Sequence, residues 1–480
     1  PAPAAGARGE RPPVETTTTG SASMYYYGGN GRIRSQDFQD SAVSGVPQVV
    51  GDPQLTSDKS SQLYNDVDLN WRRRDSDSDL RFAFRDSYTT DLDNSAKSKN
   101  RLSALYVDYK SLAGQRNGVR LGRQSPLGGG VMGRFDGING FFYAAPKVKL
   151  GAVAGQPSDK YFDSKRRFYG ASVDAEALLP NFGTAVYVIE QKIDGYLDRR
   201  ALGLEARYFK GGVSAFAQAD YDVEAKISNI AAIQGTWILE DNTVVNALYD
   251  RRALQMVTLG NALTFIDPNG TLYTKIADKL ATTTVDALRD QVRRTTPFVT
   301  QAQLGVTKPV NANWQVGGSA QLTKVGEIPP VPDVPGYENG RPATGNIYSA
   351  TAQLIGLNLY SPRDTHVFSL TALSTPAVKN IDGWLFAYNN SSVVWQSWQL
   401  EPSIQYYTTK EANNGSNQRW TPGLRLTYRG FQRWSIETAV TYEIGKATRQ
   451  VPDPNDPTLT LTTHEDSTRV NYSLGARFEF

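Results

Sequence analysis

Hydrophobic and polar residues alternate along most of this chain with the period of a β-strand, and the pattern is clearest at its end. In the closing stretch THEDSTRVNYSLGARFEF, Val470, Tyr472, Leu474, Ala476, Phe478 and Phe480 fall on one face. Arg469, Asn471, Ser473, Gly475, Arg477 and Glu479 fall on the other. Successive strand side chains point to opposite faces, so one face is greasy and the other wet. The pattern recurs: Leu63, Val67, Leu69 and Trp71 alternate with Asp66, Asp68, Asn70 and Arg72. Leu80, Phe82 and Phe84 alternate with Arg81, Ala83 and Arg85, and Leu202, Leu204, Ala206 and Tyr208 with Ala201, Gly203, Glu205 and Arg207. Trp434, Ile436, Val440 and Tyr442 alternate with Ser435, Glu437, Ala439 and Thr441. The mid-strand charges decide the environment. An Arg beside a Glu in a dry core costs several kcal/mol unless fully paired, whereas facing water it costs little. A soluble antiparallel protein could turn its charged face to bulk water. The number of segments, the lack of an all-apolar strand class and the aromatic strand ends argue instead for an all-β, transmembrane, antiparallel up-and-down β-barrel.

Strands are expected near 22–34, 62–73, 79–88, 101–110, 117–123, 138–145, 148–156, 166–177, 183–192, 199–209 and 212–223. Further strands are expected near 228–238, 243–252, 297–307, 313–324, 346–358, 366–374, 397–408, 418–428, 433–444 and 466–480. Bacterial barrels have an even strand number, short periplasmic turns and longer outer loops. Starting inside, the short links at 75–78, 145–146 and 210–212 fall on the periplasmic side, and the loops 35–61, 124–137, 253–296 and 325–345 fall outside. The long 445–465 connection lands outside only if the poorly alternating segment near 382–394 also crosses. The count is then about 22, within a range of 18–24, with both termini periplasmic. Residues 1–20, rich in Pro, Ala, Gly and Thr, read as a disordered periplasmic linker, and 21–480 as the barrel. No signal peptide with a basic start and apolar core precedes the linker; a leader, or a larger N-terminal region, is expected to have been removed. The linker is too short for a lumen plug of the kind found in large siderophore transporters.

The loop 253–296 alone has helical character, with Ile276, Leu280, Val285, Leu288 and Val292 near helical spacing. It reads as a small helix capping the outer rim or, alternatively, as a lid or in-folded constriction, since a barrel this wide needs closing. In the second case Arg289, Arg293 and Arg294 would be held by wall acids such as Asp66, Asp68 or Glu437.

Composition narrows the chemistry. With 51 Lys+Arg against 48 Asp+Glu, the net charge of +3 leaves no dominant nucleic-acid footprint. The absence of cysteine excludes disulfides, Cys-ligated zinc and a thiol nucleophile. Mean hydropathy is negative, and no apolar run approaches the ~18 residues of a membrane helix. His366 follows a periplasmic turn and His464 lies at the outer end of the last strand, so they share no site. His464 with Glu465 and Asp466 is the one outer-rim candidate for catalysis, and it reads as a solvated strand end. Asp453, Asn455 and Asp456 lack the EF-hand spacing and its closing Glu, so they read as a turn. Gly128, Gly129 and Gly130 lack the strand-to-helix context of a phosphate cradle and read as loop flexibility. No catalytic residue, metal site or cofactor is expected.

The segment LGRQSPLGGGVMGRFDGINGFFYAAPKVKLGAVAGQP, with DRRALGLEARYF and YSLGARFEF, resembles the C-terminal, porin-like barrel of bacterial outer-membrane proteins whose N-terminal part is a periplasmic repeat domain, often of tetratricopeptide type. The similarity covers residues 20–480. It implies passage of a secreted polymer or polypeptide guided by a periplasmic domain, although no 34-residue period occurs in this chain. The alternating end also resembles the signal that barrel-assembly machinery reads, carried by Tyr472, Leu474, Phe478 and Phe480. The expected partners are therefore that machinery, outer-membrane lipid and lipopolysaccharide, and a periplasmic or lumen-bound protein.

The expected function is an aqueous conduit in the bacterial outer membrane, for export of a polar polymer or polypeptide. A general diffusion porin, or a scaffold enclosing a filament base, lipoprotein or cytochrome, are the alternatives. The expected pore-lining residues are Asp66, Asp68, Arg72, Arg81, Arg85, Glu205, Arg207, Asp220, Arg425, Glu437 and Arg477, a wall of mixed charge.

Overall fold

A computed structural model describes residues 14–480 except 41–46, 115, 127, 160–161, 268, 376–380, 413–414 and 453–459. The described residues form a single 22-stranded sheet. Its first half comprises β1 (Glu15–Asp40), β2 (Pro47–Arg74), β3 (Ser78–Asp91), β4 (Lys99–Ser111), β5 (Asn117–Gln124), β6 (Phe135–Ala145), β7 (Val148–Pro157), β8 (Arg166–Leu179), β9 (Phe182–Ile193), β10 (Tyr196–Lys210) and β11 (Val213–Asp222). The second half comprises β12 (Ile227–Ile238), β13 (Val244–Ala253), β14 (Phe298–Pro309), β15 (Trp314–Val325), β16 (Ile347–Leu357), β17 (Thr365–Thr375), β18 (Ile381–Val394), β19 (Trp398–Lys410), β20 (Ser416–Phe431), β21 (Trp434–Pro452) and β22 (Thr460–Glu479). Each strand pairs antiparallel with the next. β1 pairs with β22, Ala22 facing Phe478 and Tyr26 facing Leu474, so the sheet closes. At the seam Gly20 N–H donates to the Phe480 carbonyl at 2.9 Å and Phe480 N–H to the Gly20 carbonyl at 3.0 Å. Closure leaves no strand edge, which lipid would not tolerate.

The register sorts side chains into two chemistries. Trp71, Phe82, Val107, Leu121, Ile138, Ala154 and Tyr169 stand opposite one another from β2 to β8. One residue along, Arg72, Arg81, Asp108, Arg120 and Asn139 form the row on the other face. The apolar row stays largely uncovered by protein, as a lipid-facing band must. Every link that follows an even-numbered strand is short, and the start of β1 and the end of β22 lie on that side. Six of the eight tryptophans (Trp71, Trp237, Trp314, Trp395, Trp398 and Trp434) gather at those ends, the place of an interfacial aromatic girdle.

Three expectations on boundaries are corrected. β1 starts at Glu15, inside the span assigned to the linker; residues 1–13 lie outside the described residues. The stretch 35–61 is largely a hairpin, with Ser35 facing Gln54 and Asp37 facing Val50. Likewise β21 and β22 run through much of 445–465. These stretches are rich in Ser, Asp, Gln and Thr and carry no apolar period. An antiparallel ladder satisfies the backbone whatever the side chains, and strand propensity is overridden by the neighbour's edge. The 28 residues of β2 far exceed the ~9–11 of a membrane crossing, so the hairpin continues beyond the bilayer.

The turn at 358–364 is held by one carboxylate. Asp364 accepts from the N–H groups of Leu359, Tyr360 and Ser361 at 2.7, 2.7 and 2.8 Å. Asn358 and Arg363 adopt positive φ of 53° and 72°. Burial opposes the Asp364 charge, but donation from Ser361, Tyr360 and Leu359 overrides it and holds the pKa at about 2 against an ordinary 3.8.

Two outcomes follow. A Cβ on Gly20 would meet the Asp68 carbonyl at 2.4 Å and the Phe480 ring at 2.6 Å. Gly20→Val is therefore expected to open the seam and sharply reduce the heat-modifiable folded band on gels. A yield equal to wild type would show that the seam tolerates displacement. For the turn, a depressed pKa stabilises the fold above about pH 4, and the contribution is lost as pH falls toward about 2. Amide exchange protection at Leu359 to Ser361 should hold at pH 5 and decline across that window. In Asp364→Asn it should be weak already at pH 5.

Candidate functional site: the inner wall and its in-folded loops

All eleven expected wall residues stand on the face opposite the apolar band. Asp66, Asp68 and Arg72 are on β2, Arg81 and Arg85 on β3, Glu205 and Arg207 on β10, Asp220 on β11, Arg425 on β20, Glu437 on β21 and Arg477 on β22. On β2 and β3, Arg85 pairs with Asp68, Asn70 donates to Asp68 at 2.6 Å, Arg81 donates to Asn70 at 2.5 Å, and Arg72 meets Asp79 at 2.5 Å. Across the seam, Arg425 lies between Glu401 (3.7 Å) and Glu437 (3.4 Å), and Arg477 pairs with Glu479 at 3.0 Å. Ser23 faces both Asp66 and Arg477, so β1 joins the two clusters into one strip. The Arg72, Arg85, Arg425 and Arg477 side chains are 45%, 64%, 54% and 47% exposed. Pairs this wet contribute about 0–1 kcal/mol each; their effect is to present compensated charge to water.

Two features of this wall were missed in the sequence. Tyr25, Tyr27 and Tyr64 also face inward, Tyr25 opposite Tyr64 and Tyr27 edge-on to Tyr64 at 5.1 Å. The Tyr25 ring lies across Gly475, where a Cβ would come to 2.0 Å. The YYY run at 25–27 held the signal, since alternation places its first and third members together. From β14 to β17 the inward positions are mainly amides and hydroxyls: Gln303, Gln321, Ser349, Thr351, Gln353 and Thr371.

The opposite sector is covered. Asp220, expected in the lumen, is buried. It accepts from Tyr187 Oη at 2.8 Å, Arg199 Nη2 at 2.5 Å and Asn229 Nδ2 at 3.4 Å. The Arg199 and Asp220 side chains are 3% and 0% exposed. The same network grips two loops, because Arg199 Nη1 donates to the Gly130 carbonyl at 3.3 Å and Val257 N–H to Asn229 Oδ1 at 3.2 Å. Loop 125–134 folds inward onto Tyr187. Gly128, Gly129 and Gly130 have φ of 104°, 72° and 77°, and a Cβ on Gly130 would meet the Tyr187 ring at 2.3 Å. Their reading as mere flexibility is corrected: the glycines are needed for a left-handed backbone and a close approach. Glu205 lies beside Gly128, and Arg207 pairs with Asp174 at 2.5 Å.

Loop 254–297 also rests on this sector. Its helical stretch divides into α1 (Ile276–Lys279) and α2 (Val285–Thr295), with the Thr284 side chain accepting from Ala287 N–H as the cap of α2. Ile276, Leu288 and Val292 are buried with Leu259, Leu263 and inward Ile193, together with Val331 and Val334 of loop 326–346. Gly260 N–H donates to Asp198 Oδ1 at 3.0 Å. Lys279 Nζ donates to the carbonyls of Ala262 and Phe265 at 2.6 and 2.9 Å, and burial pushes its pKa down. The expected tether to Asp66, Asp68 or Glu437 is corrected. Arg289 donates to the Leu197 carbonyl at 3.1 Å, Arg293 pairs with Asp290 at 2.6 Å, and Arg294 bridges Asp290 and Asp333 at 2.7 and 2.9 Å. Asp68 and Glu437 already have arginines on neighbouring strands, and the helix carries its own acids one turn back.

His366 meets the Tyr388 hydroxyl at 3.0 Å and His464 the Thr448 hydroxyl at 3.2 Å, at opposite ends of the barrel. Glu465 beside His464 pairs with Arg449 at 3.3 Å. Asp453, Asn455 and Asp456 lie outside the described residues. Among the described residues no group of three or more metal-ligating side chains occurs.

No family model matches the chain, and no curated protein does. Among solved structures it is similar to the ferric enterobactin receptor of Pseudomonas aeruginosa, with TM-score 0.50 and 11% identity, covering 96% of this chain and 80% of that one. It is also similar to Pseudomonas aeruginosa OccK1 (OpdK), with TM-score 0.39 and 8% identity over 96% and 99% of the two chains. A bacterial polysaccharide outer membrane secretin gives TM-score 0.30 and 13% identity over 69% and 97%. The likeness is one of fold, that of the large antiparallel barrels of the outer membrane. The chain is a closed, 22-stranded antiparallel transmembrane β-barrel.

Asp220→Ala would leave Arg199 buried without its ion-pair partner, a loss of about 3–5 kcal/mol. It should loosen both loops, read as faster cleavage within 128–134 by protease added to reconstituted vesicles. Arg199→Met on that background should restore resistance, and cleavage unchanged in the single variant would deny the network its latching role.

Proposed function

We propose that this barrel conducts a polar polymer, a polysaccharide or polypeptide, outward across the outer membrane. In this reading loops 125–134 and 254–297 narrow the lumen, and a periplasmic protein delivers the cargo. The observation that carries it is the asymmetry of the inner wall: one sector is latched under two loops, while the arginines of β2, β3, β20 and β22 stay wet. The open strip combines neutral amides and hydroxyls with charges already neutralised by neighbours. Such a surface offers many weak, similar contacts and no deep well, which suits a chain that must slide rather than stop. The periplasmic partner rests on the resemblance of residues 121–157, 198–209 and 472–480 to barrels with periplasmic repeat domains. Tyr472, Leu474, Phe478 and Phe480 are proposed as the signal for the assembly machinery; the register sets Phe478 opposite Trp434 on the lipid-facing side.

Single-channel recording in planar bilayers tests the narrowing. Replacing residues 257–294 by a short Gly-Ser linker is expected to raise conductance severalfold and to sensitise cells to bulky antibiotics. Unchanged conductance would mean that the loops only decorate the wall. If conductance rises only after removal of a co-purifying chain, the barrel is a scaffold for that chain.

A further inference from the structure

Between the two in-folded loops lies a cavity of about 410 Å³, within the ~300–1,000 Å³ usual for small-molecule sites. Its floor is the inner wall of β8 to β10, with Arg166, Phe168, Ile189 and Arg199. Loop 125–134 contributes Met132 to the lining and loop 254–297 contributes Met256. We propose that this cavity binds a small carboxylate with an aromatic or branched apolar body.

The lining states both halves of that ligand. Phe135, Phe162, Phe168 and Ile189 supply an apolar surface, with Phe135 and Phe168 edge to face at 5.2 Å. Two of the protein's three methionines, Met132 and Met256, line the cavity, and unbranched thioethers adapt to varied apolar shapes. The charged lining is of one sign. Arg134, Arg166 and Arg199 are present, and no acid occurs among the described residues that line the cavity. Arg134 is neutralised by Asp159 at 2.8 Å and Arg199 by Asp220 at 2.5 Å. Arg166 instead donates to a neutral acceptor, the Asp159 carbonyl, at 2.5 Å. The Nε of Arg199 is buried without a hydrogen-bond partner. A carboxylate would give Arg166 a planar, bidentate partner; the buried Asp198 behind the lining, which also feels Arg166, is already held by Gln191 and the Gly260 N–H. The neighbouring cavity on the same wall shows the contrast: Lys110, Arg120, Lys149 and Arg207 there face Asp108, Asp174 and Glu205. There each cation is paired with a carboxylate of the lining itself, Lys110 and Arg120 with Asp108 and Lys149 and Arg207 with Asp174, so an anion would have to compete for it.

Because its sides belong to both loops, an occupied pocket favours the arrangement in which they are folded in. By linkage, the ligand then stabilises the narrowed lumen in proportion to its affinity for that state alone.

Isothermal titration of the folded, detergent-solubilised barrel with 2-naphthoate and with neutral 2-naphthamide tests the site. Saturable one-to-one binding of the acid is expected, at least tenfold tighter than the amide. Arg166→Gln should erase that preference, whereas Arg85→Gln, on the open wall, should keep it. Met256→Trp, which fills the cavity without touching its charge, should abolish binding in a barrel whose heat-modifiability is intact. In the wild type, bound naphthoate should slow amide exchange in 128–134 and 255–264. Absence of saturable binding, equal affinity for acid and amide, or indifference to Met256→Trp would each overturn the proposal. Binding is read without passage of cargo, so failure here leaves the conduit reading untouched, and failure of the conductance test leaves this one standing.

Discussion

The bilayer offers no partner to a backbone N–H or C=O, and everything else in this molecule is arranged around that fact. The ladder from β1 round to β22, sealed by the reciprocal Gly20 and Phe480 bonds, satisfies the backbone through neighbours and asks nothing of side chains. Side chains are then free to take opposite chemistries at alternate positions. Lipid sets one series and water the other. This is why Trp71 and Arg72 can be neighbours in sequence, and why an Arg81 in mid-strand carries no penalty of the kind it would meet in a dry interior.

The same constraint decides what could be read from the sequence. Where a strand has lipid on one side and water on the other, alternation is forced and each crossing is recognisable within a few residues; even the weak segment near 382–394 is β18. Outside the membrane neither solvent imposes a period. The upper halves of β1, β2, β21 and β22 are therefore ordered by ladder hydrogen bonds with a few polar cross-strand pairs, such as Arg449 with Glu465 and Thr463 with Asp37, and Ser35 to Gln54 looked like a loop. The inward direction of Arg72, Arg85, Arg425 and Arg477 was legible for the same reason. Their pairing was not, because it depends on register between strands, which a single strand's pattern does not contain.

Asp220 shows what happens where the water side is removed. Its alternation is that of any wall acid, yet Tyr187, Arg199 and Asn229 enclose it under two loops. A buried ion pair contributes little net stability, and losing one member is expensive. Such a pair is better suited to holding one arrangement than to adding strength. Here it ties Gly130 and, through Asn229, Val257 to the wall at a single point. Loop 125–134 needs its run of glycines to reach that point, and Gly203 must lack a side chain for Tyr187 to lie where it does. Chemistry on β9 to β12 and conformation in loop 125–134 are thus parts of one constraint.

The covered sector also leaves a mark in sequence that alternation alone overlooks. In β9, VYVIEQKI, Val186 and Val188 belong to the lipid series, but Tyr187, Ile189 and Ile193 occupy the water series and are buried. Phe168 on β8 and Ala201 on β10 continue that apolar patch inward. A lumen of 22 strands is too wide for wall side chains to fill, and apolar inward residues facing open water would gain nothing. A strand hydrophobic on both faces must be covered on both, and in a barrel only a loop or another chain can cover the inner one. Departures from alternation in such a sequence therefore locate the lining of the lumen, and in this chain they fall beneath both loops and beside the arginine-lined cavity between them.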